Sequence, residues 1–282
     1  MKAAAANPPP TPRPVAGYLA GGLPFNRIGH GAKMLVVFQG LVFENRPLDR
    51  FSAFFAAGLY RFLEEDYTVY MTGRRPGLPV GYGMRDMAHD YAAAIEQEFS
   101  GPVDVIGTST GGPIALHFAA DHPDLLRRLV IHSSAYTLTA AGKAVQLEVA
   151  RLAAQGRWRE AYARLLWFVW PPTRIGRFMT GLASHIMAFN TPADASDLVV
   201  TIQAEDALAC KERLGEVAAP TLIVAGTGDQ GYSETLIRET AAGIPNSRLI
   251  LYPGMGHPAR GKQFARDVLA FLSEHGKELQ AS

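Results

Sequence analysis

Three residues of this 282-residue chain have the types and placement for covalent acyl chemistry: Ser109, Asp229 and His257. A serine hydroxyl is a weak nucleophile near neutral pH and needs a base to take its proton as it attacks. The His257 imidazole can accept that proton and return it to a leaving group. The Asp229 carboxylate, accepting the other ring N–H, would fix the tautomer and stabilise the imidazolium that forms. A tetrahedral oxyanion also needs two N–H donors. One is expected from the backbone of Thr110, directly after the nucleophile. The other is expected from Leu41, behind Gly40 in the loop after the first long apolar run.

The surroundings of Ser109 support this role. Gly107-Thr108-Ser109-Thr110-Gly111-Gly112 reads as a tight turn between the buried run Val103-Asp104-Val105-Ile106 and a helix that stops near His122-Pro123. A side chain at Gly107 or Gly111 would collide where strand and helix pinch together, and the tip residue must adopt a strained backbone. The hydroxyl is then presented above a sheet edge, at the positive end of a helix.

The elements that must position these residues alternate. Lys33–Phe38 is a continuous apolar run, the mark of a strand covered on both faces. Leu48, Phe51, Phe55, Leu59 and Phe62 recur at helical spacing over 47–63, and Tyr67–Met71 reads as the next strand. A Gly/Pro-rich loop spans 73–83, and Met87, Tyr91, Ile95 and Phe99 mark another amphipathic helix. Strands follow at 129–132, 221–226 and 248–252, with helices over 233–242 and around Phe264, Val268, Phe271 and Leu272. Weak antiparallel edge strands are expected within 17–32.

Such alternation predicts an α/β fold, a mostly parallel sheet with helices on both faces. In an open sheet of this kind ligands bind at the carboxyl ends of the strands. Ser109, Asp229 (in Ala225-Gly226-Thr227-Gly228-Asp229) and His257 (in Tyr252-Pro253-Gly254-Met255-Gly256-His257) each follow a strand. From 136 to 214 the alternation breaks and the pattern is helical. The domain reading is therefore a disordered Ala/Pro-rich segment 1–14, an α/β core over 15–135 and 215–282, and an α-helical cap over 136–214.

The elbow Gly107-Thr108-Ser109-Thr110-Gly111-Gly112, the turn Gly226-Thr227-Gly228-Asp229 and the pair Gly256-His257 resemble, in order and spacing, the motifs of the α/β-hydrolase superfamily. Gln39-Gly40 stands where such proteins often carry His-Gly, and Thr108 where they often carry His or Gln. The resemblance implies about eight strands and a helical cap inserted after the sixth. It implies a cofactor-independent serine hydrolase, most simply a carboxylesterase working through an acyl-enzyme. The same triad also runs C–C bond hydrolysis and perhydrolysis, and a non-catalytic receptor on this fold is a reading from another class.

The insertion carries Trp158, Tyr162, Leu165, Leu166, Trp167, Phe168, Val169 and Trp170, then Phe178, Met179, Ile186, Met187 and Phe189. A segment apolar all round must be covered or must wall a cavity. Trp167, Phe168, Trp170 and Met187 are the candidate pocket residues, for a hydrophobic, small-to-medium ester.

A formal net charge of +1 gives no reason to expect nucleic acid or an anionic membrane as partner. The pairs Arg74-Arg75 and Arg127-Arg128 read as solvated. One cysteine, Cys210, rules out an intrachain disulfide and reads as a small buried residue. No metal-ligand spacing such as H-E-x-x-H occurs, so no metal is expected. His89, His117, His122 and His275 read as solvent-facing or capping, His132 as a possible pocket border, and His185 has no motif around it. No apolar run reaches membrane-span length and no signal-peptide core is present, so a cytoplasmic protein without membrane insertion is expected.

Overall fold

Apolar runs without polar alternation are stable as strands only when both faces are covered. The computed structural model, which describes residues 15–169, 174–189, 191–207 and 210–274, gathers these runs into one eight-stranded sheet. The strands are β1 (Val15–Tyr18), β2 (Pro24–Ile28), β3 (Lys33–Phe38), β4 (Tyr67–Thr72), β5 (Val103–Thr108), β6 (Leu126–His132), β7 (Thr221–Gly226) and β8 (Ser247–Tyr252). Their order is β1-β2-β4-β3-β5-β6-β7-β8. β1 and β2 form the expected antiparallel edge, and β4 to β8 run parallel with β3. Register does the positioning. Phe38 pairs with Gly107, Thr108 with His132, and Gly226 with Tyr252. The central strands therefore end level, and their following loops emerge at one edge.

Among the described residues, the sheet is flanked by α1 (Arg50–Gly58), α2 (Met84–Glu98), α3 (Gly111–Asp121), then α8 (Glu234–Gly243) and α9 (Lys262–Ser273). Between β6 and β7 come α4 (Ala140–Ala154), α5 (Trp158–Val169), α6 (Arg174–Met187) and α7 (Ser196–Asp206). One face of the sheet packs Phe38, Ile131 and Ile223 against α2, α3 and α8; Tyr91 stacks on Phe38 at 3.8 Å and Phe118 meets it edge-on at 5.4 Å. The other face packs Leu35, Val37 and Val130 against Ala57, Phe264 and Val268 of α1 and α9. The inserted helices have a core of their own, built from Val149, Trp158, Tyr162, Leu198 and Ile202, and Leu41 and Phe43 rest against it.

Local chemistry explains where elements begin and end. The helix expected over 47–63 starts at Arg50 because Asp49 caps it, its carboxylate accepting the Ser52 N–H at 3.1 Å. It closes at Gly58, and a short 3₁₀ turn, Arg61–Leu63, follows. Ser233 caps α8, its Oγ accepting the Leu236 N–H.

Two arginine pairs differ from their solvated reading. Asp104 lies wholly buried inside β5, and a charge there must be paired. Arg127 supplies a two-pronged partner at 2.6 and 2.9 Å, and the Tyr67 hydroxyl donates to the same carboxylate at 3.0 Å. Arg74 is buried too, for a reason that belongs to the site below. His117 is buried against Arg213 rather than solvated, its ring 3.2 Å from Nη1, and burial lowers its pKa. His89 and His122 pair with each other at 2.8 Å, and His185 packs edge-on to Phe189. His275 lies outside the described residues.

Cys210 is buried, its Sγ 3.3 Å from the Tyr136 carbonyl, and burial pushes its thiol up to about 12. The thiolate is the reactive form. The folded protein is therefore expected to leave Ellman's reagent unreacted for hours at about pH 8, and to release one equivalent of thionitrobenzoate promptly in denaturant. Prompt reaction of the native protein would contradict the buried placement. Among the described residues, no helix is long and apolar enough to cross a membrane.

Candidate active site

Ser109 sits at the tip of the turn between β5 and α3 with a φ of 52°, the left-handed backbone that the sequence pattern demanded. The turn is pinned from three sides: Ser109 N–H donates to the His132 carbonyl at 3.0 Å, and the Ser109 carbonyl accepts Gly112 N–H at 2.7 Å and Ser134 Oγ at 2.8 Å. The flanking glycines have no room for a side chain. A Cβ on Gly107 would stand 2.6 Å from Ala115 Cβ, and one on Gly111 2.0 Å from the Phe38 carbonyl oxygen.

Asp229 and His257, on the loops after β7 and β8, are joined by a 2.7 Å hydrogen bond from His257 Nδ1 to Asp229 Oδ2. The other Asp229 oxygen accepts the Gly231 and Tyr232 N–H groups at 2.9 and 3.0 Å. With Nδ1 donating to the carboxylate, Nε2 keeps its lone pair and is the basic atom. No hydrogen bond joins Ser109 Oγ to His257 in this state, and such links commonly tighten only when substrate is bound. The Tyr232 hydroxyl faces Ser109 and Ser134, and its ring stacks on His257 at 5.9 Å.

His132 is a brace for this loop. It is fully buried, with Nε2 donating to the Ala259 carbonyl at 2.7 Å and Nδ1 accepting the Tyr60 hydroxyl at 2.8 Å. Tyr60 also bonds Thr108 Oγ1. Burial pulls the imidazole down to about 3, so it stays neutral and holds Ala259, two residues from His257, against the sheet.

Thr110 opens α3, and Leu41 follows Gly40, which lies against the nucleophile: a Cβ there would be 3.1 Å from Ser109 Cβ. The Gln39 and Gly40 carbonyls are each held at 3.1 Å by the guanidinium of Arg74. Burial lowers the Arg74 pKa, and Glu205 and Asp197 on α7 oppose that effect. Glu205 is wholly buried, with its pKa raised by that burial; its Oε1 accepts the Tyr232 hydroxyl at 2.6 Å.

Arg74, Glu205, Tyr232 and Gln146 were not among the sequence candidates. One signal was available for Glu205: with Leu198 and Ile202 it falls on the apolar stripe of α7.

A cleft of about 790 Å³ opens beside the nucleophile turn, walled by Leu41, Leu59, Tyr60, Phe62, Thr108 and Pro258. Of the candidate pocket residues, Met187 ends α6, is more than a third exposed and does not line this cleft. Trp170 lies outside the described residues, as do the Trp167 and Phe168 side chains.

A family model described as "Alpha/beta hydrolase family" matches residues 11–267. A protein called carbamate hydrolase RutD from Klebsiella pneumoniae (strain 342) is 28% identical over 191 residues, covering 66% of this chain and 71% of that one. A pimeloyl-[acyl-carrier protein] methyl ester esterase of Neisseria meningitidis is 44% identical over 50 residues, 18% of this chain and 20% of that protein. Among solved structures, MGS-M2, an alpha/beta hydrolase enzyme from a Medee basin deep-sea metagenome library, superposes with a TM-score of 0.77 at 15% identity, over 92% of this chain and 98% of that one.

Proposed function

The chain belongs to the alpha/beta hydrolase family, and from that premise we propose a cofactor-independent serine hydrolase that cleaves carboxylic esters of hydrophobic, small-to-medium substrates. The observation that carries the reading is the 2.7 Å Asp229–His257 hydrogen bond on the same sheet edge as a serine held at positive φ. In this scheme Ser109 Oγ attacks the ester carbonyl while His257 Nε2 takes its proton. The Thr110 and Leu41 N–H groups hold the oxyanion, and Asp229 stabilises the imidazolium. His257 then protonates the departing alcohol. Water, deprotonated by the same ring, releases the acid and restores Ser109.

The walls of the cleft at Leu41, Leu59 and Phe62 suit an apolar acyl or alcohol group, and Arg260 and Lys262 stand at the same cleft. A carbamate presents a carbonyl that the same steps would cleave, and the similarity to the protein called carbamate hydrolase makes it the first departure from simple esters to test.

The experiment is labelling with a fluorophosphonate, followed by identification of the modified peptide, beside a panel of p-nitrophenyl esters of increasing acyl length, a phenyl carbamate and a vinylogous diketone. The expected result is a single adduct on Ser109 and turnover of short to medium esters. An unlabelled Ser109 in a protein inert towards the whole panel would refute the hydrolase reading. Faster turnover of the carbamate or the diketone would keep the triad and move the substrate.

A further inference from the structure

The cleft beside the nucleophile turn is apolar in its depth and cationic at one side. Buried Val37, Met71 and Phe264 line its interior, and the Tyr60 hydroxyl in its wall is taken up by His132 and Thr108. Arg260 and Lys262 line the same cleft, three and five residues beyond His257, and both are exposed. Among the described residues neither side chain takes part in an ion pair or a hydrogen bond. The sequence keeps acids away from them: no Asp or Glu occurs from 240 to 266. Asp267, the first beyond, bonds the Tyr252 hydroxyl at 3.0 Å and the Gln263 amide at 2.8 Å. Asp49, next to the wall residue Leu48, is engaged with Ser52 in capping α1. Among the described residues, no carboxylate lines the cleft.

The backbone that carries the two cations is fixed. The Ala259 N–H donates to Ser133 Oγ at 2.8 Å, and the Ala259 carbonyl accepts His132 Nε2 at 2.7 Å. The Arg260 N–H donates to Met255 Sδ at 3.2 Å. Gly261, between the cations, has a φ of 105°, a backbone that glycine takes without strain. Arg260 and Lys262 therefore leave the same pinned loop as His257, and their backbone is ordered before a substrate arrives. The other wall comes close to the reacting atom: a Cβ on Gly40 would stand 3.7 Å from Ser109 Oγ. An arginine fork takes both oxygens of a carboxylate and a lysine adds a point charge, while the apolar walls take hydrocarbon. A purely hydrocarbon ester would use the walls and leave both cations without a counter-charge.

We propose that the substrate is an ester joining an apolar body to a terminal carboxylate, and that Arg260 and Lys262 determine specificity by binding that carboxylate while the hydrocarbon lies along the Leu41, Leu59 and Phe62 walls. The proposal rests on the serine-hydrolase reading above and narrows its substrate. The carboxylate is remote from the scissile carbonyl, so its binding positions the ester for attack without taking part in the bond changes.

The test measures kcat/KM for the p-nitrophenyl monoesters of adipic and suberic acids against the same esters with a terminal amide in place of the carboxylate. A second pair, 4-acyloxybenzoates against 4-acyloxybenzamides, puts the charge on the alcohol side. Wild type is expected to prefer the anionic member of one series about 5- to 20-fold at low ionic strength, a size fitting two exposed cations. The preference should shrink toward parity in about 0.5 M salt. Arg260→Gln with Lys262→Gln should bring the ratio within about twofold of one, and Arg260→Glu with Lys262→Glu should invert it. Because each ratio is taken within one protein, a general loss of activity cancels. If a double variant does not fold, the single variants decide, each expected to lose part of the preference.

A wild type that treats charged and neutral members alike in both series overturns the proposal, as does a preference that survives in the folded variants. A wild type without Ser109-dependent turnover of any ester overturns the hydrolase reading and this substrate with it. Ser109-dependent turnover with no charge preference overturns only the carboxylate site.

Discussion

Ser109→Ala is expected to lower kcat on an activated ester by roughly 10⁶-fold, the cost usual for deleting a serine nucleophile whose base and acid act as a unit with it. The loss should be chemical rather than structural. Alanine keeps the Cβ that serine already places at a φ of 52°, so the substitution adds little backbone strain. The bonds that pin the turn, to the His132 carbonyl and from Gly112 and Ser134, all use Ser109 main-chain atoms and survive. The thermal midpoint should therefore stay within a degree or two of wild type, and KM should change little. Some rate above the uncatalysed reaction should remain if the proposed Thr110 and Leu41 donors polarise a bound carbonyl. A variant that keeps more than about one part in a hundred of the wild-type rate would show that another group attacks, and would remove Ser109 from the mechanism.

How much of this was legible in the sequence follows from which signals are local. The strands were readable because runs such as Lys33–Phe38 and Thr221–Gly226 must be covered on both faces. Asp229 and His257 were readable because each follows such a run on the edge where Ser109 emerges. Arg74 was not. An arginine beside another, at the start of a Gly/Pro-rich loop, has the local signature of a solvated surface. What holds it is a pair of carbonyls after β3, more than thirty residues away in sequence. His132 misled in the same way. Its place at a strand end suggests a pocket border, while the contacts that make it a neutral brace come from Tyr60 and Ala259. The cleft walls are likewise assembled from distant segments, 37–62 and 258–265, none of them marked by a motif. Sequence periodicity finds what a segment does alone; it is blind to partners that meet only through the fold.

Asp229→Asn puts the proposed acid of the triad to the sharpest test, because the surrounding backbone dictates how the amide must sit. Asp229 Oδ1 accepts two main-chain N–H groups, from Gly231 and Tyr232, so an asparagine must place its oxygen there. The amide NH₂ then faces His257 Nδ1 at the position of Oδ2 and donates to it. That forces the ring proton onto Nε2, the atom that must be free to take the proton of Ser109. The imidazole is held in place but in the wrong tautomer, and kcat is expected to fall by about 10⁴-fold with KM nearly unchanged. Asp229→Ala should lose a comparable factor while also releasing the Gly231 and Tyr232 N–H groups, so it should lower the thermal midpoint where Asp229→Asn does not. The distinguishing measurement is the pair of variants side by side, rates against melting curves. If Asp229→Asn retained more than a tenth of the wild-type kcat, the tautomer argument would fail, and another acceptor on His257 Nδ1 would have to be sought.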